Sequence, residues 1–427
     1  MAHFDLVVHN VSWQDEVYDI LVRDGRIVEL AQAGSSTQAS RTLDGEGLVV
    51  LPSLIDAHVH LREPGQEYKE DIASGLTAAA HGGFGQVMAM ANTSPVNDNA
   101  SVTRFMLDKG AQAFPYGPWV RPVGALTMGL LGQELAPAGE LAQAGCVAIS
   151  NDGLPVTSTE LFRRGMEYAA DFGLKVIDHC EDPWLGHGGV MNEGAISSRL
   201  GLKGIPTVSE TIQVARDILL AAYLDLPVHL AHISCRESVE LIAQAKEKGV
   251  PVTAETCPHY LLWDETWVVE YNTSVRVNPP LRTRDDVLAL RQAVRTGVID
   301  ILVTDHAPHA AHEKNVTFAA APNGISGLDT ALALTCELVR AGELDFMDIA
   351  RLWAWNTADI FSLPTCKMGT GDPADFILVD PDLAWIATAD ALKSKGKNTP
   401  CLGQELSGRV MTHVLGGRVI LSHQDFS

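Results

Sequence analysis

LPSLIDAHVHLREPG, residues 51–65, begins as a short apolar run and then places Asp56, His58 and His60 at alternate positions. Alternate side chains of a β-strand point to the same face, so the spacing predicts three polar groups on one side of a strand. Two histidines at i and i+2 can both reach one divalent metal ion without bending the backbone. Arg62 keeps the same parity before Pro64 and Gly65 end the strand. Taken alone, the motif is equally compatible with a buried strand whose histidines only form hydrogen bonds.

A pattern of strand, loop and helix starts at residue 54 and repeats eight times. The strand-like runs are LIDAHVH (54–60), QVMAMAN (86–92), VRPVGAL (120–126), CVAISND (146–152), KVIDHCE (175–181), VHLAHIS (228–234), VTAETCP (252–258) and ILVTDHA (301–307). Helix-like segments between them include 71–81, 158–172, 209–224 and 236–248. Apolar strands that alternate with helices are typical of a parallel sheet, and eight repeats over about 250 residues favour a (β/α)8 TIM barrel. The alternative, a doubly wound open sheet, lacks the Gly-x-Gly-x-x-Gly turn after its first strand.

Both ends of the chain are rich in strand patterns. FDLVVHN, YDILVRDGRIVELA and RTLDGEGLVVLP precede the repeats, and ADFILVD and GRVMTHVLGGRVIL follow them. Neither end has enough apolar residues to form a core of its own. We therefore predict one discontinuous β-sandwich domain from residues 1–53 and 363–427, and a barrel domain from residues 54–362.

Composition excludes several classes of function. The 427 residues are 46% hydrophobic and 20% charged, and the net charge of −22 argues against nucleic acid or an anionic membrane as a partner. A small anionic substrate is still compatible, because one or two arginines suffice to hold it. No apolar run approaches 18 residues, and the first residues do not read as a signal peptide. The 7 cysteines lack paired spacing, which predicts reduced thiols and a cytoplasmic protein.

Polar side chains follow the predicted strands at their carboxyl ends, where barrel enzymes place their active sites. They are His58, His60, Asn92, Asp152, His179, His232 and Asp305. Imidazole and carboxylate together are ligands that Zn²⁺ or a similar first-row ion prefers. Parity places His229 opposite to His232, toward the helix layer, whereas His259 is equally compatible with a site role and a structural one.

The eighth predicted strand adds a candidate for proton transfer. In ILVTDHAPH, Asp305 ends the apolar run and His309 follows four residues later. A carboxylate at a metal site can take a proton from water and later deliver it to a leaving group. The next stretch, AHEKNVTFAAAPNGISG (311–327), is long and rich in small residues, so it is either a lid over the site or a variable surface loop.

Taken together, several motifs resemble those of the amidohydrolase superfamily and, more narrowly, class I dihydroorotases. They are DAHVHLREPG, MANTSPV, SNDG, IDHCED, LAHIS, RVNPPLR, TDHAPH and the tail NTPCLGQELSGRV, so the resemblance covers nearly the whole chain. The pattern His-x-His-x-Arg distinguishes dihydroorotases from the related allantoinases and dihydropyrimidinases. Those relatives commonly bridge two metals with a carboxylated lysine, whereas this chain has no lysine between Lys109 and Lys175 and carries Asp152 there, like the bacterial dihydroorotases that use an aspartate.

The resemblance implies a role for each matching position. The implied metal ligands are His58, His60, Asp152, His179, His232 and Asp305, with one or two Zn²⁺ ions, and Asp305 is also the implied general acid/base. The implied substrate contacts are Arg62, Asn92 and His309 for a carboxylate, Asn278 for the pyrimidine ring, and backbone at Pro322, Asn323 and Gly324. Asn151, where the family often has aspartate, and Asn323 depart from its pattern.

The implied activity is the reversible, metal-dependent cyclisation of N-carbamoyl-L-aspartate to L-dihydroorotate in de novo pyrimidine (UMP) biosynthesis. A homodimer and an association with aspartate transcarbamoylase are implied as partners. Two other functions stay open at this point. One is a cyclic amidase for hydantoins, dihydrouracil or allantoin, and the other is a non-catalytic scaffold that supports aspartate transcarbamoylase.

Overall fold

A computed structural model describes residues 3–34 and 38–423 of the protein. The strands in chain order are β1 (Leu6–Trp13), β2 (Glu16–Arg23), β3 (Arg26–Gln32), β4 (Thr42–Asp44), β5 (Val49–Pro52), β6 (Leu54–Val59), β7 (Phe84–Ala89), β8 (Trp119–Ala125), β9 (Ala148–Ser150), β10 (Lys175–Asp178), β11 (Met191–Asn192), β12 (Gly204–Ile205), β13 (Val228–Leu230), β14 (Val252–Thr256), β15 (Ile301–Leu302), β16 (Phe376–Ile386), β17 (Glu405–Leu415) and β18 (Arg418–Ser422).

The helices surround the strands and connect them. They are α1 (Ile72–Gly82), α2 (Ala100–Ala113), α3 (Ala138–Ala144), α4 (Thr159–Ala170), α5 (Pro183–Gly186), α6 (Ala195–Leu200), α7 (Val208–Leu224), α8 (Arg236–Glu247), α9 (Pro258–Leu262), α10 (Arg284–Thr296), α11 (Ala311–Lys314), α12 (Ala331–Arg340), α13 (Phe346–Ala350) and α14 (Asn356–Phe361). Short 3-10 turns lie at Met128–Leu130, Glu265–Val268 and Thr273–Val275, and a π-helical turn at Arg351–Trp355 precedes α14.

Eight parallel strands form the predicted barrel, in the order β6-β7-β8-β9-β10-β13-β14-β15. Two contacts join the first strand to the last. The Asp56 carboxylate accepts hydrogen bonds from Thr304 N at 3.1 Å and Thr304 Oγ1 at 2.5 Å, and His60 N donates to His306 O at 2.8 Å. Asp56, which shares the parity of the two histidines, therefore serves to close the barrel.

Each of the eight predicted runs overlaps one observed strand, and all but β8 are shorter than their runs; β7 and β8 begin at Phe84 and Trp119, before the predicted starts. The run 301–307 forms only Ile301–Leu302, and the run 146–152 forms only Ala148–Ser150. The polar residues that end these runs leave the ladder and turn into the rim. The four predicted helices at 71–81, 158–172, 209–224 and 236–248 are confirmed, with bounds that differ by at most two residues.

Helix boundaries follow the capping residues. The Asp71 side chain accepts from Ser74 N at the start of α1, while Ser74 Oγ accepts from Asp71 N, which forms a capping box. The helix ends at Gly83, whose φ of 89° is left-handed and suits glycine. Each capping contact satisfies backbone groups that the end of a helix leaves unpaired.

The two ends of the chain pair with each other, as predicted. Their strands form one hydrogen-bonded sheet in the order β18-β17-β16-β5-β1-β2-β3, with β4 paired to β1. The joint lies between β5 and β16, which are antiparallel with Leu51 opposite Ile377. Side chains of β1 alternate between two apolar clusters, so both faces of this sheet are covered. The domain boundaries at 53/54 and 362/363 stay a prediction, and residues 1–2, 35–37 and 424–427 of these ends lie outside the described residues.

All seven cysteines are buried and free, in agreement with the prediction of reduced thiols. In the part of the chain that the structure describes, no helix is long and apolar enough to cross a membrane.

Candidate active site

The candidate site lies where the barrel strands end, and three of its residues have unusual backbone conformations. Arg62, His232 and Asp305 have backbone φ angles of 61°, 33° and 46°, in the left-handed region that residues other than glycine rarely adopt. Each follows the end of a barrel strand, where the left-handed turn takes the chain out of the ladder. Such conformations concentrate at functional sites, because the surrounding structure has to hold them.

Asp152 lies at the centre of two groups of possible metal ligands. The ligand atoms of His58, His60 and Asp152 lie within 4.8 Å of one another, and so do those of Asp152, His179 and His232. Asp152 Oδ1 is 3.3 Å from His58 Nε2, 3.5 Å from His179 Nδ1 and 3.4 Å from His232 Nε2, while its Oδ2 is 3.5 Å from His60 Nε2. One carboxylate therefore faces both histidine pairs, an arrangement suited to two metal ions that share a ligand.

The first histidine pair is oriented by hydrogen bonds on its outer side. His58 Nδ1 donates to Glu255 Oε1 at 2.7 Å, and His60 Nδ1 donates to Asn92 Oδ1 at 2.9 Å. A neutral imidazole carries one proton, so each Nε2 presents its lone pair toward Asp152. Contacts of this kind fix the tautomer of metal-binding histidines. Asn92, predicted as a substrate contact, thus also orients a ligand.

In the second pair only His179 has such an outer partner, because His232 Nδ1 is buried and forms no hydrogen bond with the described residues. His179 Nε2 donates to Glu181 Oε2 at 2.9 Å, which leaves its Nδ1 only 2.9 Å from His232 Nε2. Two inward-facing nitrogens at this separation suit a shared cation. His58 Nε2 is buried and forms no hydrogen bond with the described residues. Because a buried polar atom without a partner is costly, these histidines fit a metal ion between them better than they fit a purely structural role.

The charges of the site also favour a cation. Burial tends to raise the pKa of Asp152, but the neighbouring imidazoles, His58 first, hold it well below its usual value. Burial tends to lower the pKa of His179, but Asp152 and Glu181 outweigh this effect and raise it to about 10. Buried carboxylates that draw protons onto imidazoles in this way attract positive charge, and imidazole nitrogen with carboxylate oxygen is the donor set of zinc and similar first-row ions.

Asp305 lies beside the first histidine pair and lines the cavity. Its Oδ1 is 3.1 Å from His60 Nε2 and 3.8 Å from His58 Nε2. Burial tends to raise its pKa, but the contact with His60 and the charge of His58 lower it below its usual value. The carboxylate is therefore ionised and positioned to accept a proton from a molecule in the cavity.

A cavity of about 210 Å³ opens above Asp152, so the site suits a small molecule. The lining comprises His60, Arg62, Asn92, Asp152, Gly153, His179, His232, Asn278, Asp305, Ala307, His309, Asn323 and Gly324. Two predicted residues are absent from this lining. His58 is completely buried, and Pro322 contributes its carbonyl oxygen to Lys314 Nζ at 2.8 Å.

Arg62 adds a positive charge to the lining of the cavity. Among residues 3–34 and 38–423, the one hydrogen bond of the buried Arg62 guanidinium runs from Nε to Pro308 O at 3.3 Å. Its two terminal amino groups are thus available for a planar anion. His309 Nε2 donates to Asn323 O at 2.8 Å, and burial together with the charge of Arg62 lowers the pKa of His309 to about 3.

Both departures from the family pattern have structural roles. Asn151 Oδ1 accepts from Thr127 N and Thr127 Oγ1 at 3.0 Å each, and its Nδ2 donates to Leu154 O at 3.1 Å. This amide therefore joins two rim loops and leaves the adjacent Asp152 in place. Asn323 Oδ1 accepts from Arg276 Nε at 3.0 Å, which fixes the loop on which its backbone faces the cavity.

Sequence reasoning missed two carboxylates behind the histidines. Glu255, on β14, accepts from His58 Nδ1, from His229 Nε2 at 3.0 Å and from His232 N at 3.3 Å, and it has no exposed surface. Glu181 accepts from both His179 and Asn278 Nδ2, the latter at 2.7 Å. A charged residue inside an otherwise uncharged, largely buried strand, as in VTAET, was the available signal, because such a charge requires partners.

Comparisons with known proteins show the family of the chain. Residues 47–238 match a family model described as dihydro-orotase-like. The chain is 47% identical to a dihydroorotase of Geobacter metallireducens over 406 residues and 47% identical to a dihydroorotase of Syntrophotalea carbinolica over 407 residues, covering 95% of each protein in both cases.

Solved structures share the fold. The L-hydantoinase (dihydropyrimidinase) from Arthrobacter aurescens has a TM-score of 0.84 at 23% identity, covering 99% of this chain and 97% of that one. A D-hydantoinase has a TM-score of 0.81 at 22% identity, with 98% and 95% covered. At these low identities, the likeness shows that the fold of barrel and sheet is shared.

Proposed function

The chain belongs to the dihydroorotase family of pyrimidine biosynthesis, and we propose that its barrel cavity catalyses the reversible cyclisation of N-carbamoyl-L-aspartate to L-dihydroorotate. The observation that carries this proposal is the arrangement around Asp152. Two histidine pairs face one carboxylate at a small cavity, and the Arg62 guanidinium lines the same cavity. A cyclic amide that bears a carboxylate fits this site, because its amide suits the histidine and Asp152 cluster and its carboxylate suits Arg62.

The metal is proposed to be zinc, with two ions per chain. One ion would be held by His58 and His60, the other by His179 and His232, and Asp152 would contact both. Asp305 would join the first group through its contact with His60. When bound, such ions supply Lewis-acid chemistry, since they polarise a carbonyl group and lower the pKa of water.

Substrate orientation would rest on the charged wall and on two amides. The terminal amino groups of Arg62 would form a paired contact with the substrate carboxylate, a planar geometry that lysine does not provide. Asn92 accepts from His60 through Oδ1, which leaves its Nδ2 as a second donor. The Nδ2 group of Asn278 is bound to Glu181, so its Oδ1 is available to a ring N–H. The part of the cavity that holds the substrate carboxylate would be enclosed by His309, Asn323 and Gly324.

Asp305 would transfer the proton. In the hydrolytic direction, water adds to the ring carbonyl carbon while the ionised Asp305 takes its proton. The bond between that carbon and the ring nitrogen then breaks, and Asp305 delivers the proton to the nitrogen. The new carboxyl group releases the other proton of the water to solvent, so that a carboxylate and a carbamoyl group result. The reverse sequence closes the ring and releases water.

The two other functions are weaker explanations. A hydantoinase-type amidase shares the fold, but Asp152 occupies the centre of the site and Arg62 adds a carboxylate-binding group. A non-catalytic scaffold has no need for ligands, whereas every predicted ligand here points into one cluster or lies against it.

The test is an assay of ring opening by the purified wild-type protein. L-dihydroorotate, dihydrouracil and hydantoin are offered separately, and metal content is measured on the same sample. We expect hydrolysis of dihydroorotate with little turnover of the two rings that lack a carboxylate. Preferential hydrolysis of hydantoin or dihydrouracil would establish the other amidase function, and a metal-free protein without turnover would establish the scaffold.

A homodimer is part of the proposal. Helix α7 exposes an apolar stripe of Val208, Ile212, Leu219 and Tyr223, which supports pairing with another copy. Sedimentation equilibrium tests this state. Association with aspartate transcarbamoylase and a cytoplasmic location stay predictions, the latter supported by the seven free thiols.

A further inference from the structure

A segment between the last strands of the terminal sheet reaches the active-site rim. Residues 387–404 connect β16 to β17, and their middle part is fixed to the barrel by two carboxylates, of which Glu70 is buried and Asp329 partly buried. The Asp329 carboxylate accepts from Lys393 N at 2.7 Å and Ser394 N at 3.1 Å. The Glu70 carboxylate accepts from Ser394 Oγ and from Lys395 N, the latter at 3.2 Å. The residues that follow are therefore held against the top of the barrel.

Asn398 follows these anchors and uses its whole side-chain amide on the rim. Its Oδ1 accepts from His309 N at 2.8 Å. Its Nδ2 donates to Ala307 O at 3.1 Å and to Gly324 O at 2.9 Å. The residue is only 4% exposed, so these bonds are shielded from water. One amide thus joins the end of the eighth strand to the loop that returns over the cavity.

The groups joined by Asn398 are walls of the cavity. Ala307, His309 and Gly324 all line it, on the side where Arg62 lies. The same two walls are also joined by the bond from His309 Nε2 to Asn323 O. A backbone bond from Ala307 N to Ile325 O at 2.8 Å lies beside it, and Asn398 adds its three side-chain bonds to this connection.

Gly396 permits the close approach of this segment. A Cβ atom at this position would lie 2.6 Å from Pro308 Cβ and 2.8 Å from His309 N, distances shorter than real Cβ contacts. Any larger residue would move the segment away from the strand end. Gly396 therefore allows the close approach to residues 308–309 that the hydrogen bonds of Asn398 require.

We propose that Asn398 is a positioning residue, which sets the carboxylate-binding end of the cavity by holding His309 and Gly324 at a fixed separation. This inference rests on the proposed function and extends it, because it gives the terminal sheet a role in substrate binding. Asn398 touches no reacting atom and acts through the two walls.

The experiment compares Asn398→Ala and Gly396→Ala with the wild type. Loss of three shielded hydrogen bonds should raise KM for dihydroorotate about tenfold while kcat changes by less than about threefold. Metal content should be unchanged. Amide exchange of residues 307–324, measured by mass spectrometry, should accelerate in both variants.

Asn356→Ala is the matched control. Asn356 Nδ2 donates to Asp300 O at 2.7 Å, next to the opposite end of the same strand, β15. This variant should lose stability without a change in KM or in exchange at 307–324. Unchanged exchange in Asn398→Ala, or the same rise in KM in the control, would overturn the positioning role. Absence of wild-type turnover would instead refute the proposed function, since the exchange experiment does not depend on activity.

Discussion

Replacing Glu255 with glutamine tests whether the buried carboxylate behind the first histidine pair serves metal binding. Glu255 holds His58 Nδ1 at 2.7 Å and His229 Nε2 at 3.0 Å, with no exposure to solvent. Glutamine keeps the shape of the side chain but removes its charge. Its amide has one oxygen acceptor instead of two, so it cannot accept from both imidazoles through separate oxygens.

The expected loss lies in metal affinity. Changes in groups that orient metal-binding histidines typically weaken binding 10- to 100-fold, about 1.4 to 2.7 kcal/mol. We expect a loss in this range, because a hydrogen bond from imidazole to a carboxylate is stronger than one to an amide. Competition with a chromogenic chelator, after removal and stepwise return of zinc, measures this loss without reference to turnover.

Glu70→Gln is the matched control for this experiment. Glu70 is equally buried at the rim and lies 3.4 Å from His306 Nε2, but His306 is not a proposed ligand. The control should bind zinc like the wild type. If Glu255→Gln also binds zinc like the wild type, or if both variants lose affinity equally, the orienting role of Glu255 is wrong.

Three further predictions concern proton transfer, substrate binding and pH. Asp305→Asn should abolish turnover, because the amide cannot accept the proton, and should keep the folded structure; near-normal activity would refute the acid/base role. Arg62→Met should lose binding of dihydroorotate, measured by calorimetry, and keep its metal, whereas Arg164→Met, exposed on α4 and outside the cavity lining, should bind normally. Normal binding by Arg62→Met would contradict the carboxylate contact. Burial lowers the pKa of His413 to about 4, so the unfolded chain binds more protons between pH 4 and 6.5 and stability rises with pH across this window. The free energy of unfolding, measured with urea at pH 4.5 and 7.5, should differ less between the two pH values for His413→Gln than for the wild type, by up to about 3 kcal/mol. The same pH dependence in both proteins would mean that His413 is charged in the folded state.

Much of the barrel could be predicted because its pattern is local. Apolar runs ending in polar residues mark each strand and its rim end, and matching parity places His58 and His60 on one face. The lengths of the strands could not be predicted this way. His232 and Asp305 leave the ladder through left-handed conformations that depend on tertiary contacts and not on the preference of either residue.

The supporting residues were harder to find because their partners are distant in sequence. Glu255 contacts His58 across 197 positions, and Asn398 contacts His309 across 89. Side-chain parity predicts the face on which a residue lies but not which residue of another strand it meets. That pairing depends on the register of neighbouring strands and on the path of the segment from the terminal sheet.

The most direct test of the central claim is the number of metal ions bound per chain, measured together with activity. Protein purified without chelator is analysed for its elements and assayed for dihydroorotate hydrolysis, then assayed again after metal removal and after return of zinc. We expect two zinc ions per chain, loss of activity when the metal is removed and recovery of activity when zinc is returned. Full activity in metal-free protein, or one tightly bound ion with full activity, would contradict a site built from two histidine pairs around Asp152.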